Sequence, residues 1–208
     1  MKLHSYQTRD SASEAAARFV SESLQAVSGA QNMLVSGGSS PKCCFQFVSK
    51  TAIDWFGVTI SLTDERLVAP DHEASNERMV RETLLTNRAA VASFVTPQQV
   101  APHTFANDLT CALVGMGTDG HFASIFPDCA NIDQLLDQTA PPAFIEVETV
   151  ASPYRRISAN LSLILKAKQI VLLVFGQDKK DVLAHPHQLP IEHLISQTHS
   201  PVQIFWAP

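Results

Sequence analysis

The segment LTCALVGMGTDGHFASIFP, residues 109–127, decides the fold class, because an apolar run passes directly into a glycine-rich turn that contains charged residues. Leu109 to Val114 is short and apolar, which favours a strand buried in a parallel sheet. The three glycines that follow allow sharp turns and a close approach of the backbone to a ligand. Because ligands of open α/β sheets bind at the carboxyl ends of strands, Asp119 and His121 are predicted to lie at such a site.

Strand-like runs alternate with helical patterns along the whole chain. This alternation is typical of an α/β fold with a mainly parallel, Rossmann-like sheet flanked by helices on both faces. The predicted strands are residues 32–36, 58–62, 109–114, 169–175 and 201–206. The predicted helices are residues 11–27, 41–50, 76–86, 120–126 and 158–167. Residues 128–142 are predicted to form a loop, and residues 1–208 are expected to form a single domain.

Composition limits the classes of function. The chain has 208 residues, of which 45% are hydrophobic and 17% are charged, a balance typical of a globular core. The 20 acidic side chains outnumber the 15 basic ones, and no Lys/Arg cluster occurs, so nucleic acid is not an expected partner. Because the sequence contains neither a leader-like segment nor a run of about 18 apolar residues, we expect a cytoplasmic protein without a membrane partner.

The cysteines and histidines do not indicate a metal site. Cys43, Cys44, Cys111 and Cys129 lack CxxC spacing, so we expect free thiols. The densest histidine cluster is HPH at residues 185–187, where the proline holds the backbone extended and no Cys or carboxylate is close in sequence. An exposed loop is the favoured interpretation, and no bound metal is predicted.

A possible anion site follows the strand predicted at residues 32–36. The sequence SGGSSP, residues 36–41, opens a predicted helix, and the free backbone N–H groups and dipole of a helix N-terminus favour an anion. The glycines and small hydroxyl side chains leave room for a phosphate. An ordinary capping turn has the same composition, so both interpretations stay open.

Basic and polar residues also follow the later strands. The sequence TDER at residues 63–66, together with Ser75, Asn76 and Arg81, favours a polar ligand, because arginine suits bidentate contact with phosphate. A salt-bridged loop is the alternative interpretation. Further basic residues occur in two pairs, Arg155 with Arg156 and Lys179 with Lys180. Lys179 follows a strand end, where lysine is a common partner of phosphate, although both pairs also fit a solvated surface.

The turn GMGTDG at residues 115–120 formally matches the GxGxxG fingerprint of dinucleotide-binding folds, with Asp133 and Asp137 at the spacing of a ribose contact. The turn lies past the middle of the chain, however, and Asp119 would repel a pyrophosphate. An Asp beside His121 instead favours a general base, since a carboxylate orients an imidazole. A buried, hydrogen-bonded histidine is the alternative.

In their order along the chain, these motifs resemble those of the 6-phosphogluconolactonases, within the glucosamine-6-phosphate deaminase-like superfamily. Residues 36–41 resemble the first phosphate loop of the family, residues 63–68 with Ser75-Asn76 its second motif, and residues 115–127 its third. Arg156-Ile157-Ser158 is similar to the Arg-Ile-Thr segment of the family, and Gly176 to Lys179 is similar to its Gly-x-x-Lys.

The resemblance implies hydrolysis of 6-phospho-D-glucono-1,5-lactone to 6-phospho-D-gluconate in the oxidative pentose phosphate pathway, without a metal or organic cofactor. It implies that His121 is the general base for attack of water on the lactone carbonyl, with Asp119 and Asp64 placing the imidazole, the water or the substrate hydroxyls. The implied substrate and phosphate contacts are Gly37, Gly38, Ser39, Arg66, Asn76, Gly117, Arg156 and Lys179. We expect a sugar-phosphate partner, and a monomer or a weak homodimer.

One departure from the family pattern bears on the site. Phe122 stands where a small residue is usual, so its ring is expected to lie beside the base and narrow the pocket. Ser124 is expected to pack or hydrogen-bond rather than attack the substrate. Two alternatives stay open. One is a glucosamine-6-phosphate deaminase, although that group has Asn-Glu-Pro where this chain has SIFP at residues 124–127. The other is a sugar-phosphate-binding regulator without catalysis.

Overall fold

Ten strands, eight α-helices and two 3₁₀-helices form the protein in the computed structural model, which describes residues 1–208. The strands are β1 (Lys2–Ser5), β2 (Gln31–Val35), β3 (Val58–Leu62), β4 (Asp64–Arg66), β5 (Ser93–Phe94), β6 (Leu109–Gly115), β7 (Phe144–Val147), β8 (Arg156–Ala159), β9 (Gln169–Phe175) and β10 (Val202–Ala207). The helices are α1 (Arg9–Gln25), α2 (Ser39–Val48), α3 (Asn76–Thr83), α4 (Pro102–Asn107), α5 (Ile132–Leu136), α6 (Leu161–Ile164), α7 (Gln177–Ala184) and α8 (Pro190–Ser196). The 3₁₀-helices are Trp55–Gly57 and Asn87–Val91.

Seven strands form one parallel sheet in the order β1-β10-β9-β6-β2-β3-β5. The chain runs outward from β2 through β3 to β5 on one side, and from β6 through β9 to β10 on the other. The strand order therefore reverses between β2 and β6, and the carboxyl ends of strands at such a switch point form a ligand-binding crevice. The sheet confirms the predicted Rossmann-like architecture.

Strand β6 is buried on both faces. Cys111 and Leu113 belong to one apolar core, and Ala112 and Val114 belong to the other, as the two-residue period of a strand requires. Helices α1 and α2 cover the first core, and α6 and α8 cover the second. Because helices cover both faces, the strand has a continuous apolar sequence rather than an alternating one.

A second, antiparallel sheet has the strand order β4-β8-β7 and was not expected from the sequence. It corrects the helix predicted over residues 158–167. Ser158 pairs with Asp64 of β4, and Ala159 pairs with Phe144 of β7, so the first two residues of that range belong to a strand. The range becomes helical at α6, where the Asn160 side chain accepts the N–H of Leu163 at 3.0 Å.

The helix predicted over residues 120–126 is also wrong. Gly120 has a φ of +76° and Ala123 a φ of +49°, and both values lie in the left-handed region that a right-handed helix excludes. The N–H of Ser124 donates to Oγ of Ser158 at 3.2 Å instead of to a carbonyl one turn back. The segment is therefore a compact turn that keeps its side chains at the end of β6.

The predicted loop at residues 128–142 contains the short helix α5. All four cysteines are free thiols, and burial raises the pKa of Cys111 to about 12. None of the helices combines the length and the apolarity that a bilayer-spanning segment requires.

Candidate active site

A cavity of about 280 Å³ lies at the carboxyl ends of β2 and β6, where the strand order reverses. The residues predicted to form the site all line this cavity except Asp119, which contacts His121. The cavity is also lined by Ser36, Ser40, Pro41, Gly115, Met116, Ala123, Phe126 and Ala151. Segments that are far apart in sequence are thus brought together in one place.

Asp119 and His121 form a hydrogen-bonded pair. Oδ1 of Asp119 lies 2.6 Å from Nδ1 of the His121 imidazole and accepts the backbone N–H of His121 at 3.2 Å. A proton on Nδ1 satisfies this contact and leaves Nε2 with a free lone pair, which is the tautomer that a general base requires. The His121 side chain is 29% exposed, so the alternative of a buried structural histidine does not fit.

Neighbouring backbone and side chains fix the turn that contains this pair. A side chain at Gly117 would overlap the imidazole of His121, and the Gly117 N–H donates to the His121 carbonyl at 2.9 Å. On another side, Leu189 fills the space that a side chain at Gly120 would need. The N–H of Ile191 at the start of α8 donates to the Gly120 carbonyl at 3.0 Å. His121 is therefore held on a turn that neighbouring segments fix in place.

The loop after β2 forms an open helix N-terminus at the cavity. Gly38 has a φ of +96°, which a residue with a side chain rarely adopts, and it precedes α2 without a side-chain cap. The helix begins two residues before the predicted start, so Pro41 lies in its first turn. The first-turn N–H groups of Ser39 and Ser40 have no acceptor within the helix and are available to an anion.

Asp64 belongs to a buried polar network. Its carboxylate accepts the hydroxyls of Ser124 at 2.6 Å and Thr63 at 2.9 Å. Nη1 of Arg156 donates to the Ser124 hydroxyl at 3.2 Å and lies 3.6 Å from the Asp64 carboxylate. Ser124 is fully buried and hydrogen-bonded to these partners, and its burial weighs against a role as a nucleophile.

Arg66 and Asn76 are held against each other on the wall formed by β4 and α3. Nη1 of Arg66 donates to the Asn76 side-chain carbonyl at 2.9 Å, and the Asn76 amide donates to the Asp64 backbone carbonyl at 2.8 Å. A side chain at Gly37 would overlap the Asn76 side chain. A glycine at position 37 is therefore required for close contact between the loop after β2 and this wall.

Glu65, to which the sequence pattern assigned no function, caps helix α3. Its carboxylate accepts the backbone N–H groups of Asn76 at 2.8 Å, Glu77 at 2.7 Å and Arg66 at 2.7 Å. The Ser75 hydroxyl also donates to it at 3.1 Å. Burial raises the pKa of the Glu65 carboxyl, and these hydrogen bonds oppose the rise. Glu65 therefore fixes the backbone of Arg66 and of Asn76, which both line the cavity.

Positive charge predominates in the cavity, since Arg66, Arg156 and Lys179 line it with Asp64 as the one carboxylate. Burial and the nearby Arg66 lower the pKa of Arg156. Burial, followed by the nearby Arg9, lowers the pKa of Lys179, while Asp119 opposes the shift. Burial thus removes water from the guanidinium and ammonium groups, and neighbouring cations repel them. A bound anion would offset both of these unfavourable effects.

Three basic residues singled out in the sequence are engaged elsewhere. Arg81 pairs with Glu77 at 2.8 Å. Arg155 pairs with Glu146 at 2.6 Å. Nζ of Lys180 lies 3.6 Å from the ring centre of Trp206 in a cation–π contact. None of the three lines the cavity.

The expected position of the Phe122 ring is wrong. Phe122 is fully buried in the core beneath α6 and α8 and does not line the cavity. The aromatic ring beside the base belongs to Phe126, whose centroid lies 4.3 Å from that of the His121 imidazole. The guanidinium of Arg156 lies 5.3 Å from the centre of the same ring. The left-handed backbone at Ala123 accounts for the difference, because it changes the direction of the chain between the two aromatic residues.

The residues that the sequence analysis missed differ in the signal that they offer. Glu65 lies inside a motif already singled out, so its charge was visible although its role as a cap was not. Phe126 lies at the end of the third motif and resembles an ordinary core residue. Ala151 gives no sequence signal, because only the folding of the β7–β8 loop brings it to the cavity.

The histidine cluster at residues 185–187 forms no metal-binding group. His187 contacts the carboxylate of Glu192 at 3.3 Å, which lies slightly further along the chain than the cluster itself. No group of three or more His, Cys, Asp or Glu side chains in the protein is arranged to hold a metal ion.

Known proteins resemble this chain in both sequence and fold. The family model described as glucosamine-6-phosphate isomerases/6-phosphogluconolactonase matches residues 7–206. A 6-phosphogluconolactonase of Rhizobium meliloti is 35% identical, with 99% of this chain and 98% of the relative covered. The crystal structure of a 6-phosphogluconolactonase from Shewanella baltica has a TM-score of 0.89 and 32% identity, with coverage of 100% of this chain and 98% of that one.

A monomeric glucosamine-6-phosphate deaminase has a TM-score of 0.77 at 16% identity, with 100% of this chain and 97% of that chain covered, and thus shares the fold. The match over nearly the whole chain, together with the two 6-phosphogluconolactonase relatives, shows that this protein belongs to the glucosamine-6-phosphate isomerase/6-phosphogluconolactonase family.

Proposed function

We propose that the protein hydrolyses 6-phospho-D-glucono-1,5-lactone to 6-phospho-D-gluconate in the oxidative pentose phosphate pathway, with His121 as the general base. One observation in particular supports this proposal. The Asp119–His121 pair lies at the same cavity as three cationic side chains and an open helix N-terminus. A base beside an anion-binding surface suits a neutral reacting group on a phosphorylated substrate.

The phosphate of the substrate provides the binding energy. The N–H groups of Ser39 and Ser40, with Arg66, Arg156 and Lys179, supply donors and positive charge on a protein whose net charge is −5. A phosphate held there fixes the position of the lactone ring relative to His121. Such positioning replaces a bimolecular encounter with an oriented one, which lowers the entropic part of the barrier.

The chemical step needs no covalent nucleophile. Nε2 of His121 takes a proton as the oxygen of a water molecule attacks C1 of the lactone, and the former carbonyl oxygen becomes an oxyanion. The positive charge that predominates in the cavity offsets its charge. The bond from C1 to the ring oxygen then breaks, and the proton on Nε2 passes to the ring oxygen, which becomes a hydroxyl. Asp119 stabilises the imidazolium that exists between these two proton transfers.

The observations weigh against both alternatives. A deaminase of this fold has a glutamate after the histidine, whereas here Ser124 occupies that segment and is buried between Asp64 and Arg156. The case for a non-catalytic sugar-phosphate binder depended on Phe122 narrowing the pocket, and this ring is in the core. The side chains around His121 leave it accessible for catalysis.

The test is a pair of assays on the purified protein. Acid release from freshly generated 6-phosphogluconolactone is followed near pH 7, and spontaneous opening is subtracted. Ammonia release from glucosamine 6-phosphate is measured in parallel. We expect acid release well above background and no ammonia. Ammonia release without lactone hydrolysis would establish the deaminase, and binding of 6-phosphogluconate without either reaction would establish the regulator.

A further inference from the structure

Asp128 lies directly after the third motif and binds a turn on the other side of the cavity. Its Oδ1 accepts the hydroxyl of Thr149 at 2.7 Å. Its Oδ2 accepts the backbone N–H groups of Val150 and Ala151, both at 3.1 Å. One exposed carboxylate thus organises three consecutive residues of the β7–β8 loop.

Little apolar burial holds this turn in place. Val150 at its tip is 94% exposed. Asn131 binds the chain before the turn, since its side chain accepts the N–H of Glu148 at 3.2 Å and donates to the carbonyl of Glu146 at 2.9 Å. The hydrogen bonds that residues 149–151 form with the rest of the protein all go to Asp128.

The turn reaches the cavity in two ways. Ala151 lines the cavity directly. The next residue, Ser152, accepts Nε of Arg156 with its hydroxyl at 2.7 Å. Nη1 of the same guanidinium donates to Ser124, so the group is held at both ends. The turn that Asp128 holds therefore leads directly into one of the hydrogen-bond partners of the Arg156 guanidinium.

We infer that Asp128 is a positioning residue for substrate binding, which acts through the 149–152 turn to place Ala151 and to fix the guanidinium of Arg156. The inference rests on the proposed function, because the ligand concerned is the sugar phosphate. Residues 121–128 would then position both sides of the cavity, with the base at one end of the segment and the carboxylate of Asp128 at the other.

The chain offers both a conservative variant and a matched control. In Asp128→Asn the amide oxygen can still accept the two N–H groups, and the amide nitrogen can donate to the Thr149 hydroxyl. Asp137 is an exposed carboxylate of the same type that accepts the N–H and the hydroxyl of Thr139 at 2.8 and 2.7 Å, but it does not line the cavity. Asp137→Ala removes equivalent hydrogen bonds without affecting Arg156.

The experiment measures binding of 6-phosphogluconate by calorimetry, together with KM and kcat for lactone hydrolysis. We expect Asp128→Ala to weaken binding and raise KM about tenfold, with a much smaller change in kcat. Asp128→Asn and Asp137→Ala should stay within about twofold of the wild type. Normal affinity in Asp128→Ala, or an equal loss in Asp128→Asn, would overturn the inference.

A double-mutant cycle with Ser152→Ala distinguishes positioning from a general loss of stability. If both residues act through Arg156, the double variant should bind about as weakly as the weaker single variant. Additive losses would contradict the inference. If the wild type binds 6-phosphogluconate but does not hydrolyse the lactone, the proposed function fails, while the binding measurements still decide the role of Asp128.

Discussion

Phe122 and Phe126 are close in sequence, but their side chains point to different parts of the molecule. Phe122 is in the core, whereas the ring of Phe126 lies tilted against the His121 imidazole and under the guanidinium of Arg156. The sequence indicates the residue types of the motif but not the directions of their side chains, because these directions depend on the positive φ of Ala123. The family pattern therefore gave a wrong prediction for Phe122, whose ring was expected in the pocket and lies in the core.

The corrected position of Phe122 predicts that shortening its side chain lowers stability rather than substrate affinity. Phe122→Leu should lose on the order of 1 kcal/mol of unfolding free energy, because it leaves a space in a packed core. KM for the lactone should not change. Thermal unfolding and steady-state kinetics check this, with Phe126→Leu as the contrasting variant. A change in KM for Phe122→Leu without a loss of stability would contradict the core position and indicate that the ring lies in the pocket.

Lys179 should make phosphate binding at the site depend on pH, and the direction of this dependence follows from its lowered pKa. Its pKa is lowered by burial and then by Arg9, so the ammonium loses its proton at a lower pH than an exposed lysine does. Only the charged form attracts phosphate. Affinity for 6-phosphogluconate should therefore be full below the lowered pKa, and should fall as pH rises through it.

Calorimetric titration with 6-phosphogluconate from pH 7 upward measures this dependence. Lys179→Arg should keep the affinity and flatten its decline, because a guanidinium stays charged over the whole range. An identical decline in Lys179→Arg and in the wild type would assign the dependence to another group.

At the scale of the elements, the central strands could be predicted, because parallel strands buried on both faces are continuous apolar runs. The strands of the small antiparallel sheet could not. Strand β4 has three residues, reads Asp-Glu-Arg and has no alternating pattern, so only its pairing with β8 makes it a strand. Most residues of the candidate site follow the ends of predicted strands, which is why the sequence indicated them, but the contacts across β4, β8 and α3 depend on this pairing.

Helix α3 depends on Glu65 for its first turn, which predicts a stability effect outside the apolar core. In Glu65→Gln one amide oxygen replaces two carboxylate oxygens that accept four donors, so some of these donors lose their acceptor. We expect a loss of about 1–3 kcal/mol in unfolding free energy and weaker binding of 6-phosphogluconate through Asn76. Denaturant unfolding and calorimetry measure the two effects. An unchanged unfolding midpoint would contradict the capping role.

At the scale of the whole molecule, the cavity lies where the strand order reverses between β2 and β6, and both edge strands of the sheet are short. The edge strands β1 and β5 have four and two residues. Short edges offer little backbone for pairing with a second chain. We therefore expect sedimentation at the mass of one chain, or at most a weak dimer at high concentration. A stable dimer at micromolar concentration would contradict this expectation.

The most direct test of the central claim compares wild type with His121→Ala in two measurements, which are acid release from 6-phosphogluconolactone and binding of 6-phosphogluconate. Loss of a general base should reduce hydrolysis by about 10²- to 10⁴-fold, with the background subtracted. Binding should change little, because the phosphate contacts remain. Retained hydrolysis in the variant, or a loss of binding as large as the loss of hydrolysis, would contradict the assignment of His121 as the catalytic base.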